Sequence, residues 1–178
     1  SFRKGLAISE KLAAADPSSA RAQLDLSVSH NSIGDVQVAQ GDLTSARKSY
    51  SKGLVIRENL ASADPSSASL QRALTVSYNS FADVQVEQGD LTGARESYRK
   101  SLVISEKLAA ADPSSASLQR DLFYIYRRLA LLGEPEFPWS RVLEKLESMA
   151  SKGILRPADQ HYLDEARGHK RMELEAMQ

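Results

Sequence analysis

Apolar and aromatic residues recur along this chain at intervals of three and four. Leu70, Leu74, Tyr78 and Phe81 step by four, four and three, and Leu91, Ala94, Tyr98, Leu102, Ser105 and Leu108 keep the same rhythm. Steps of this size gather side chains on one face of an α-helix, whereas a half-buried strand needs strict alternation. Two kinds of interruption punctuate the pattern. Asp64-Pro65-Ser66-Ser67 supplies a helix start, with Asp or Ser available as N-cap and Pro tolerated in the first turn. Gly89-Asp90 ends one helix at the glycine and opens the next at the aspartate. Stretches of about 20 residues lie between these signals, so each helix is roughly 30 Å long. The predicted unit is a helical hairpin, and small residues such as Ala82, Ala94 and Ser101 let its axes approach closely.

The hairpin repeats. The hexapeptide ADPSSA occurs at Ala15 to Ala20, Ala63 to Ala68 and Ala111 to Ala116, a spacing of 48 residues. Roughly two-thirds of the positions in 16–63 and 64–111 are identical, which marks a tandem array. In this register residues 1–15 are the end of a second helix whose first helix is missing, and 112–153 form a divergent third hairpin. There Gly133-Glu134-Pro135-Glu136-Phe137-Pro138 replaces the short Gly-Asp turn, and a helix resumes as Trp139 to Lys152. Residues 154–178 read as a capping segment, its helix starting at Pro157 and running toward Met177 with Tyr162, Leu163, Ala166 and Met172 inward. Phe2, Leu6 and Ile8 lack the partners that their repeat equivalents have, which suggests a longer array upstream and a face open to self-association.

The series Tyr78, Phe81-Ala82, Gly89-Asp90-Leu91, Ala94, Tyr98, Ser101 resembles the tetratricopeptide repeat, as does His30, Ile33-Gly34, Gly41-Asp42-Leu43, Ala46, Tyr50, Gly53. The 48-residue period is longer than the family's usual ~34, like the extended repeats of multidomain bacterial proteins. His30 and Tyr78 stand where that family prefers Trp, and Gln37 and Gln85 where Tyr is common. The resemblance implies an all-α, right-handed superhelical solenoid whose concave surface, lined by the first helix of each hairpin, binds peptides.

Charge and composition narrow the chemistry. Twenty-three Lys and Arg balance 23 Asp and Glu without clustering, which disfavours nucleic acid or an anionic membrane as partner. With no cysteine, disulfides and thiolate metal sites are excluded. No apolar run approaches the roughly 20 residues of a membrane span, and no signal-peptide pattern opens the sequence, so a soluble, cytoplasmic chain is expected. His30 reads as a packing residue, while His161 and His169 are too far apart on one helix to share an ion. Asp35 and Asp83 are equivalent carboxylates on neighbouring helices, better read as solvated groove residues than as an acid–base pair. No catalytic site, cofactor or metal is expected.

What remains is a polar stripe on the first helices. Asn31 and Asp35 correspond to Asn79 and Asp83, each pair one turn apart, with Ser27, Thr75, Val38 and Val86 extending the line. Asparagine both donates and accepts, which suits gripping a peptide backbone, and the aspartates favour Lys or Arg on the ligand. In the third hairpin Arg127 takes the Asn position beside Arg128, so that end is expected to accept a carboxylate. The leading expectation is a non-enzymatic protein-interaction module; the alternative is a structural, oligomerising or regulatory arm of a larger protein.

Overall fold

The repeated ADPSSA motif folds the same way three times. In the computed structural model, which describes the backbone of residues 2–176 and the side chains of 4–176, Asp16 accepts the backbone N–H and hydroxyl of Ser18 at 3.1 and 2.7 Å. The same turn recurs at Asp64 with Ser66 and at Asp112 with Ser114. The N-cap role passes to the following serine: Ser19, Ser67 and Ser115 accept from Ala22, Leu70 and Leu118. Each aspartate therefore closes the turn and each serine starts a helix. The Gly-Asp signal also works as read. Gly41 and Gly89 adopt φ of 76° and 78°, where a side chain is strained. Asp42 and Asp90 then cap the next helix through Ser45 N and Gly93 N, both at 3.0 Å.

The helices are α1 (Phe2–Ala15), α2 (Ala20–Ala39), α3 (Leu43–Ala63), α4 (Ala68–Glu87), α5 (Leu91–Ala111), α6 (Ala116–Leu131), α7 (Trp139–Ser151) and α8 (His161–Ala176). The described residues are all-α, and hairpins built from adjacent helices repeat along the chain. None of these helices is long and apolar enough to cross a membrane. They divide into two compact units, Ser1–Ile104 and Ser105–Gln178.

In the first unit α1 packs on α2, α2 on α3 and α3 on α4. Apolar clusters of the described residues fill it. Ala46, Tyr50 and Val84 meet Val38, Leu43 and Phe81, while Leu54, Ala61, Leu74 and Tyr78 meet Phe81 and Ile104. Small residues set the spacing: Ala82 and Ala94 are fully buried, and a Cβ on Gly34 would sit 2.7 Å from the Tyr50 ring. The second hairpin carries Ala82 and Tyr98 at the positions of Gly34 and Tyr50, and both are fully buried. On α1, Ile8 and Leu12 are 59% and 57% exposed. The side chain of Phe2, grouped with them from the sequence, lies outside the described residues, and Leu6 is half-buried.

The second unit has a denser aromatic core. Phe123, Ala130, Trp139, Val142, Leu143, Leu146, Met149 and Ala166 are buried together, with Tyr126, Ile154, Leu155, Tyr162 and Leu163 packed against them. At Leu146 the register places the equivalent of Tyr98, and at Leu131 that of Asp83, so the third hairpin has leucine at both places; Leu146 is fully buried and Leu131 is exposed. The loop after Gly133 buries Phe137 against Tyr126, ring centroids 5.2 Å apart. Two expectations for the end of the chain need correction. Pro157 opens a single 3₁₀ turn to Asp159, and α8 begins only at His161, because Asp159 is drawn inward by two arginines. Met172 is 52% exposed and faces away from the core, whereas Ala166 is fully buried as the pattern predicts. Met177 lies outside the described residues.

Candidate functional site

Helices α2 and α4 lie side by side in the first unit, and their facing positions decide what the polar stripe can do. Asn31 is buried, 8% exposed, and donates from Nδ2 to Ser77 Oγ of α4 at 3.4 Å. Its Oδ1 points toward Gly53, where a Cβ would come within 2.3 Å. Asn31 is thus a spacer between helices, and the expected grip on a peptide backbone is corrected for it. Ser27 and Thr75 are buried too and drop out of the stripe: Ser27 Oγ donates to Leu24 O and Thr75 Oγ1 to Arg72 O, both at 2.7 Å. Asn79 is half-buried, and its Oδ1 is shielded from solvent without a hydrogen-bond partner.

The aspartates behave differently. Asp35 is exposed, and the Tyr50 hydroxyl donates to its Oδ1 at 2.7 Å; the Tyr98 hydroxyl donates to Asp83 in the same way one repeat later. A phenol from the second helix of each hairpin therefore orients a carboxylate on the first. Burial raises the Tyr50 pKa far above its ordinary value, helped by the hydrogen bond to Asp35 and by the charges of Asp35, Asp83 and Glu87. Those three carboxylates consequently share one neighbourhood at the α2/α4 surface. Val28 and Val76, each 47% exposed and again 48 residues apart, stand two turns before Asp35 and Asp83 on the same helix faces.

Sequence reasoning overlooked Arg57. It is 6% exposed on α3 and donates from Nε to Ser27 Oγ at 2.9 Å and from Nη1 to Ala73 O at 2.8 Å, tying α2 to α4. Burial lowers its pKa. The signal was available, since Arg57 replaces the serine found at positions 9 and 105 of otherwise similar repeats. His30 packs as expected, 7% exposed, with its pKa lowered by burial and then by Lys52, against an opposing effect of Glu10.

The third-hairpin arginines do not present an open anion site. Arg127 makes a two-pronged contact with Glu165 of α8, at 2.7 Å from Nε and 2.6 Å from Nη2, beneath the Tyr162 ring. The carboxylate expected from a ligand is supplied by the chain itself, which corrects the sequence expectation. Arg128 lies over the Tyr124 ring at 4.9 Å. Nearby, Asp159 takes both Arg120 (2.8 Å) and Arg156 (3.0 Å). His169 stacks flat on Trp139, 4.0 Å between centroids, and Glu173 accepts the Trp139 backbone N–H. Among the described residues no group of three His, Asp or Glu side chains is placed to hold a metal.

These contacts make the seat of α8 acid-sensitive. Hydrogen bonds from Arg127 lower the Glu165 pKa against the effect of burial. Burial opposes ionisation of Asp159, but hydrogen bonds from Arg156 and Arg120 with their charges outweigh it, and its pKa also falls. A depressed carboxylate stabilises fully above its unfolded value, about 4, and that stability is lost as pH falls through the folded value. Fluorescence of Trp139, the sole tryptophan, is expected to change below about pH 4, and the change should largely vanish in a Glu165→Gln, Asp159→Asn variant. A pH profile identical in that variant would refute the coupling.

An all-α protein of repeated helical hairpins, with paired carboxylates seated by tyrosines, is the class that fold and site define. No family model matches the chain, and no curated protein matches it. Among solved structures, the crystal structure of BtubC (BKLC) from P. vanneervenii superposes with a TM-score of 0.53 at 21% identity. The alignment covers 84% of this chain and 56% of that one, so the chain spans little over half of the matched structure. At this identity the likeness concerns the fold alone. Membership of the tetratricopeptide family is corrected by these findings, since no model of that family matches and the structural likeness is to BtubC (BKLC). The departures have a physical side. Gln37 and Gln85, in slots where Tyr is common in that family, accept the hydroxyls of Ser49 and Ser97 at 2.7 and 2.8 Å, so polar bonds join the helices at these places.

Proposed function

We propose that this protein is a non-enzymatic interaction module, working in the cytoplasm, that holds an extended partner segment across the outer face of α2 and α4. The observation that carries the reading is the repeated pair of tyrosine-seated aspartates, Asp35 and Asp83, beside the exposed Val28 and Val76. Asp35 is exposed, and a carboxylate accepts more than one hydrogen bond, so a Lys or Arg of the partner fits against this acidic face while an apolar neighbour covers the valines. The arginine end contributes through internal packing, with α8 acting as the cap of the second unit.

A fluorescein-labelled peptide of alternating Lys and Val tests this. Asp35→Asn with Asp83→Asn keeps both tyrosine acceptors and removes the charges, and is expected to weaken binding by at least about tenfold, given ~1.5–3 kcal/mol per charge-assisted bond. Unchanged affinity in the double variant would remove the site.

A second reading, a self-associating or structural arm, is favoured by the exposed Ile8 and Leu12 on α1. Light scattering decides it: a mass rising with concentration and restored to monomer by Ile8→Lys supports the reading, and a monomer throughout refutes it.

A further inference from the structure

A cavity of the first unit carries the opposite charge to the aspartate face. It holds about 630 Å³ between α3 and the end of α4, lined by Arg47, Lys48, Ser51, Lys52 and Phe81 among others. Lys48 and Lys52 are exposed and one helical turn apart, so their ammonium groups stand on one face of α3. Neither forms an ion pair among the described residues. Asp42 feels the charge of Lys48, and Glu10 lies near His30 beside Lys52, yet neither carboxylate engages a lysine. Two like charges at this spacing oppose each other by a few tenths of a kcal/mol.

The third cation of the cavity is held within the fold. Arg47 is pinned by Asp90 at 2.8 Å and Gln88 at 3.1 Å and lies over the Phe81 ring at 5.6 Å. Its charge is therefore answered within the fold, and the phenyl ring, half-buried, forms an apolar floor. Copying by duplication does not account for the lining. The position of Lys48 is Glu96 in the next repeat, and Ser51 becomes Arg99, so this charge arrangement belongs to the first hairpin.

We propose that this cavity docks an acidic peptide segment carrying one large apolar side chain, with the apolar group against Phe81 and two carboxylates on Lys48 and Lys52. Four residues of helix separate the lysines by about 6 Å along the axis. Alternate side chains of an extended peptide lie on one face at about 6.8 Å, which matches that separation. Phe81 and Asp83 point about 200° apart around α4, so the site is independent of the aspartate face. The two surfaces select partners of opposite charge.

The probe is a short fluorescein-labelled peptide alternating Glu and Ala around a central Phe, titrated against the full chain. Saturable binding that weakens with salt is expected. It should fall at least about tenfold in Lys48→Glu, Lys52→Glu and also on replacing the probe's Phe by Ala. Lys48→Glu introduces the residue the second hairpin already carries at this position, and circular dichroism of the variant verifies the fold. The Asp35→Asn, Asp83→Asn variant should bind this probe as the parent does, which separates failure here from failure of the aspartate site. The proposal is overturned by no binding up to about 1 mM, by affinity that the lysine variant leaves unchanged, or by equal competition from inorganic phosphate.

Discussion

Tyr98→Ala should lower the thermal stability of the first unit by about 3–5 kcal/mol, the range for removing a buried aromatic side chain. The ring is fully buried, and its hydroxyl donates to Asp83. Truncation leaves a cavity beside Ala82 and Ala94, which are already at the smallest useful size and have no atoms to move inward. Tyr98→Phe isolates the two contributions. It keeps the packing and removes a hydrogen bond to a charged acceptor, with an expected loss nearer 1–2 kcal/mol, about the low end for such bonds, because half-buried Asp83 can turn to water. Thermal denaturation followed by circular dichroism measures both, at several degrees per kcal/mol. Equal losses for Ala and Phe would mean that the hydrogen bond, and not the ring, holds this hairpin together.

Leu146→Ala should be of similar size in the second unit, about 2–5 kcal/mol. Leu146 occupies the slot of Tyr98, is fully buried, and sits in the cluster with Phe123, Trp139, Val142 and Met149. No hydroxyl is lost, so transfer and cavity effects make up the whole change. The sole tryptophan lies in this cluster, stacked on His169. Its emission therefore reports the second unit while far-ultraviolet circular dichroism reports all helices. The fluorescence transition should move to lower temperature ahead of the helical signal. If both move together by the same amount, the two units melt as one cooperative body and the assignment of the effect to the second fails.

The contrast between Tyr98 and Leu146 shows how far the repeat could be read. Tyr98 stands in the apolar rhythm of its helix and the 48-residue register puts Leu146 in the same slot, because burial of a helix face follows from spacing alone. It did not reveal that the tyrosine's hydroxyl seats a carboxylate while the leucine has no polar partner to replace. That depends on position 35 or 83 on the neighbouring helix, and the third hairpin has Leu131 there. The candidate site divides similarly. Asn31 and Asp35 looked like one stripe, yet four residues advance a helix by about 400°, so the two are offset by about 40°. Helix α4 covers the first through Ser77 and leaves the second exposed.

Local chemistry therefore determined the helices, their caps and the 48-residue repeat, since serine caps, aspartate turns and glycines at positive φ act within a few residues of their own position. Tertiary structure alone decided which polar residues face a partner and which face the chain. Arg127 meets Glu165 across 38 positions, Arg57 reaches from α3 to α2 and α4, and Lys48 and Lys52 stand at an open cavity without an ion pair among the described residues. The physical reason is that a helix's own pattern sets which face is apolar, whereas the rotation and spacing of its neighbours set how far that burial spreads onto the polar flank.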